Sequence, residues 1–104
     1  MSRARIEAWL ASRQPARPDA LAAQMSSLIA ACPDAELGAA SSIAAIMGSL
    51  GIFSVARVNG QRPASADLAL DLLAADAFVT YAFEAAAEEG VDMVPLAMRL
   101  LRAA

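Results

Sequence analysis

Apolar positions recur along this chain at intervals of three and four residues, the period of an α-helix. Ile6, Trp9 and Leu10 mark a short amphipathic helix over about 3–13, with Ser2 available as its cap. The two prolines of QPARP, residues 14–18, forbid a continuous helix beyond it. A second helix over about 19–31 then carries Leu21, Met25, Leu28 and Ile29, with Cys32 at its end, as a single-sided stripe.

Pro33, Asp34 and Glu36 have the chemistry of a third helix start. From Leu37 to Ala56 no charge appears, and these twenty residues match the length of a membrane span. Their Gly, Ala and Ser content, the lack of an aromatic belt and the many carboxylates of the neighbouring helix argue instead for a buried inner helix. Small residues such as Gly38, Ser41, Ser42, Ala45, Gly48, Ser49 and Gly51 would let another helix approach closely. The run IFSVARV, residues 52–58, could be extended, but the chain offers no second strand to pair with it. The pattern therefore predicts one helix over about 34–58, kinked near Gly48 or Gly51, with Asn59 and Gly60 as a left-handed exit.

The longest unbroken pattern runs from Ser65, a cap, to Gly90, a left-handed stop, and predicts a helix over about 65–89. Leu68, Leu72, Ala75, Val79, Phe83 and Ala86 fall on one stripe, while Leu70, Leu73, Ala77, Phe78 and Tyr81 lie away from it. A helix apolar on two sides must be central to a bundle or shared with a second subunit. After Gly90, Asp92 caps a last helix over about 93–103, whose Val94, Ala97, Met98 and Leu101 share one side and are expected to fold back as a lid. The predicted fold is all-α: a single domain, 1–104, forming a five-helix bundle on a long antiparallel hairpin of helices 34–58 and 65–89.

Composition sharpens this picture. Hydrophobic residues make up 59% of the 104, but alanine dominates them and supplies little buried area, so subunit association becomes an attractive way to complete the core. All eight basic residues are arginine, as coding bias would produce, and histidine is absent. A net charge of -3 argues against nucleic acid as a partner, and Arg3, Arg5, Arg13 and Arg17 are expected to be solvated surface. From Pro63 to Met98 the only charges are acidic, which allows an electrostatic match to the arginines of either terminus. The lone Cys32 excludes an intramolecular disulfide and has the character of a small filler. No secretory signal pattern opens the chain, so a cytoplasmic location is expected.

One polar cluster could carry chemistry. Asp76, Thr80, Glu84 and Glu88 are spaced by four, and Asp67 and Asp71 form a second pair. Such carboxylates can hold magnesium, but without histidine, and with no acid on the facing helix beyond its first turn, a second copy would have to complete the site. A solvated acidic ridge is the simpler expectation. Asp76 lies in a largely apolar run and, if buried, needs a donor such as Arg57. No catalytic set, phosphate loop, metal motif or cofactor signature is present. The leading expectation is a non-enzymatic association module, a homodimer or a partner to another helical protein, with Leu70, Leu73, Phe78 and Tyr81 as contacts. The alternatives are a binder of small apolar ligands and, behind it, a magnesium-dependent hydrolase sharing its acids across a dimer.

Overall fold

Ser42 starts a helix inside the uncharged run. In the computed structural model, which describes residues 2–37, 42–60 and 66–103, its backbone is extended and its hydroxyl accepts a hydrogen bond from the Ala45 amide at 3.0 Å. The described residues form α1 (Ser2–Ala11), α2 (Asp19–Ala31), α3 (Asp34–Leu37), α4 (Ile43–Asn59), α5 (Ala66–Glu89) and α6 (Met93–Ala103), with no strand among them. The fold is all-α, as predicted. The predicted single helix over 34–58 is instead α3 and α4, so the first arm of the hairpin has 17 residues against 24 in α5. Residues 52–58 are helical.

The cause of the break is partly tertiary. Glu89, at the last position of α5, accepts hydrogen bonds from the amides of Ile43 at 3.0 Å and Ala44 at 2.9 Å, satisfying donors that the first turn of α4 cannot pair internally. A carboxylate there also suits the positive end of the α4 dipole. The same contact fixes direction: the start of α4 meets the end of α5. Further along, Gly51 faces Phe78 and Val79, so the two helices run antiparallel in a register where paired positions sum to about 130.

Glycine makes the close approach possible. A Cβ at Gly51 would stand 3.1 Å from Val79 Cγ2, and one at Gly48 would collide with Leu96 Cδ1 of α6. The facing surface of α5 is correspondingly built from alanines. Ala74, Ala75, Ala82, Ala85 and Ala86 are buried together with Phe78, and their short side chains suit a helix placed against the glycines and alanines of α4. This moves the inward side of α5 away from the predicted stripe: Leu72 is 52% exposed, and Val79 and Phe83 are half-buried. Ile6 and Leu10 of α1, Met25, Leu28 and Ile29 of α2, and Ile46, Met47 and Leu50 of α4 complete the core. Buried Ser54 returns its hydroxyl to the Leu50 carbonyl at 2.8 Å.

The termini of α5 and α4 differ in kind. Gly90 has φ 68, and the Val91 amide reaches back to the Ala86 carbonyl at 2.9 Å, the left-handed exit expected from the sequence. Gly60 does not follow. It stays right-handed and donates to the carbonyls of Ala56 and Arg57, both at 3.2 Å, a tightened last turn that needs no left-handed residue. Asp92 caps α6 as predicted, accepting from the Val94 amide at 3.0 Å. Ser65 lies outside the described residues, as do Gly38 and Ser41.

Arginines of α1 and the segment after it tie this layer to the rest. Arg3 bonds the carbonyls of Ile29 and Cys32 and pairs with Asp34, so it holds the end of α2 beside the start of α3. Arg13 pairs with Glu84 and Glu88 of α5, the match of basic terminus to acidic helix taking place within one chain. The two carboxylates raise the Arg13 guanidinium above its ordinary value. Burial, helped by Glu36, likewise pushes the Cys32 thiol up, consistent with an inert filler.

Candidate functional site

Four faces of α5 have four different fates, each following from about 100° of rotation per residue. The alanine face meets α4. The face carrying Tyr81 and Glu88 meets α1: the Tyr81 ring sits edge-on to Trp9 at 5.8 Å, and the Arg13 guanidinium lies 4.1 Å over the Trp9 ring. Asp76, Thr80 and Glu84 are exposed along a third face. The fourth carries Leu72, Val79 and Phe83; Val79 and Phe83 lie beside α6, and the face is covered only in part.

The residues expected to form an interface are thereby separated. Phe78 is fully buried against α4, Tyr81 is taken by Trp9, Leu70 is half-buried, and Leu73 alone stands out at 57% exposed. The sequence shows two apolar flanks on α5, but alanine packing turns the Phe78 flank inward. Asp76 and Arg57 are both exposed, so they form no buried pair. The buried carboxylate among the described residues is Asp71, 4% exposed, which accepts a hydrogen bond from the Gln24 side chain of α2. Asp71 shares its turn with the inward-facing Ala74 and Ala75, whereas Asp76 lies on the opposite side of the helix. No group of three acidic, histidine or cysteine side chains converges on a metal-sized site among the described residues of one chain.

A different apolar surface emerges between α5 and α6. Leu96 docks against Gly48, and Leu100 is half-buried on the core. This choice leaves the other side of α6 outward, with Val94 65%, Met98 48% and Leu101 72% exposed. Val94, Met98 and Leu101 are the stripe expected to form the inner side of a lid, and they face out instead. The reason is steric: the Gly48 notch accepts a long side chain at position 96, about half a turn around α6 from Val94. Beside the stripe runs an open groove of about 460 Å³ lined by Val79, Phe83, Ala97, Leu100 and Leu101. All five are apolar.

Single exposed apolar residues are ordinary, but a contiguous stripe with an adjoining apolar groove is the form that association surfaces take. Sequence reasoning identified the α6 stripe and the Leu72, Val79, Phe83 set, but assigned both inward. Gly48, opposite the only deeply buried leucine of α6 among the described residues, is the signal that orients them. No described helix is long and apolar enough to cross a membrane. No protein family matches this chain, and no curated protein or solved structure matches it either.

Proposed function

We propose that this protein is a non-enzymatic association module that pairs with a second copy of itself through α6 and the neighbouring flank of α5. The observation that carries this reading is the outward stripe of Val94, Met98 and Leu101 beside the apolar groove. The stripe is self-complementary. With a two-fold axis between Ala97 and Met98, antiparallel α6 helices place Val94 opposite Leu101 of the second copy and Ala97 opposite Met98. Arg102, in the last turn, then lies near the Asp92 of the other chain, so opposite charges close both ends of the apolar contact.

Magnitudes set the expected strength. Covering the three stripe residues is worth on the order of 5 kcal/mol before association costs of about 4 kcal/mol or more, so the stripe alone is marginal. The groove residues Val79, Phe83 and Leu100 must supply the rest, since the expected micromolar affinity needs about 8 kcal/mol net. Cysteine cross-linking tests the arrangement in a Cys32→Ala background. Met98→Cys, next to the axis, is expected to form an intermolecular disulfide under mild oxidation, whereas Val94→Cys cross-links only when mixed with Leu101→Cys. Equal cross-linking of Met98→Cys and an exposed control, Asp76→Cys, would overturn the proposal.

A further inference from the structure

About half a turn around α6 from Leu101, Arg99 enters a separate cleft of about 490 Å³. Its floor is apolar, made by Ile52, Phe53 and Ala56 of α4. Arg57 stands on one rim, its guanidinium 5.8 Å from the Phe53 ring centre, and Glu36 of α3 stands on another. Half-buried Arg99 donates to the Ser49 hydroxyl at 3.1 Å.

Two arginines of this cleft are without an ion pair, as are Arg5, Arg17 and Arg102 elsewhere among the described residues. Only Arg3 and Arg13 pair with carboxylates among the described residues. Arg57 and Arg99 have no carboxylate within 4.0 Å among the described residues, yet they line the same apolar-floored cleft. A guanidinium taken partly out of water with only a neutral hydroxyl as partner is under-satisfied, and its planar donors suit a carboxylate. We propose that this cleft binds an amphipathic monocarboxylate, its anionic head between Arg57 and Arg99 and its apolar tail along Ile52, Phe53 and Ala56. The volume falls within the range of small-ligand pockets, and apolar walls with a few placed polar groups are their usual construction. Glu36 opposes the head by like charge, which selects for a single negative charge over a more highly charged group. The cleft lies apart from the α6 stripe, so this assignment is independent of self-association.

Octanoate, with 1-octanol and inorganic phosphate as controls, tests the proposal by amide chemical-shift titration of the intact protein. Octanoate is expected to shift amides of residues 49–57 and 99, and to bind roughly tenfold tighter than 1-octanol, the equivalent of one charge-assisted contact. Arg57→Gln, a change at an exposed position, is expected to weaken octanoate roughly fivefold and leave 1-octanol unchanged. Glu36→Gln should tighten octanoate about twofold. Equal binding of octanoate and 1-octanol, phosphate binding as tightly as octanoate, indifference to Arg57→Gln, or shifts confined to other regions would each overturn the assignment.

Discussion

The carboxylate of Glu89 caps the backbone of Ala44, accepting its amide hydrogen at 2.9 Å across 45 positions of sequence. It takes the neighbouring Ile43 amide as well, so one side chain both starts α4 and closes the hairpin. Replacing it with alanine leaves two first-turn donors to water and removes a favourable charge at the helix N-terminus. Glu89→Ala is expected to cost about 1 to 2 kcal/mol in urea unfolding, and Glu89→Gln less than half of that. An unchanged midpoint in both variants would show that Ser42 suffices alone.

Gly48 and Leu96 should show a reversal of sign. Alanine at position 48 gains about 1 kcal/mol of helix propensity but places its Cβ on Leu96 Cδ1. In the native background Gly48→Ala is expected to loosen α6, seen as faster amide exchange over 96–100. Once Leu96→Ala has cleared the notch, itself at a cost of about 2 to 3 kcal/mol, the same Gly48→Ala change is expected to stabilise by about 0.5 to 1 kcal/mol. Additive effects in the double mutant would contradict the contact.

The two aspartates of mid-α5 provide a matched comparison. Asp71 is buried and accepts from Gln24, so Asp71→Ala is expected to lose about 1 to 3 kcal/mol by thermal or urea unfolding. Exposed Asp76→Ala should fall within about 0.5 kcal/mol of the native protein. The opposite order would place the buried carboxylate at Asp76.

Cys32 links stability to alkaline pH. Its thiol is raised in the folded chain, chiefly by burial, and the unfolded chain therefore releases this proton first as pH increases. The thiol's contribution is intact below the ordinary thiol value of about 8.5 and is lost as pH climbs through the higher folded value. Native protein should react slowly with iodoacetamide, and Cys32→Ala should flatten the alkaline decline in stability. A decline of the same slope in that variant would assign it to other groups.

Much of this fold is legible in the sequence because local signals agree with one another. Asp19–Ala31, the Gly90 stop and the Asp92 cap all follow from residues within a few positions. The break before α4 is less so, since Glu89 acts there from across the hairpin. The orientation of α5 is hidden for another reason: ranking its faces by large side chains overlooks that alanine is what a glycine-bearing neighbour accepts. That one difference relocates the apolar surface from Phe78 and Tyr81 to Leu72, Val79 and Phe83. The outward turn of the predicted inner side of α6 has a separate cause, the seating of Leu96 at Gly48.

Sedimentation velocity over a range of concentrations is the most direct test of self-association through that outward surface. The native chain is expected to pass from monomer to dimer across the micromolar range, while Leu101→Glu, at a 72% exposed position, stays monomeric with an unchanged helical spectrum. A native chain that remains monomeric at hundreds of micromolar, or a Leu101→Glu variant that dimerises as the native chain does, would contradict it.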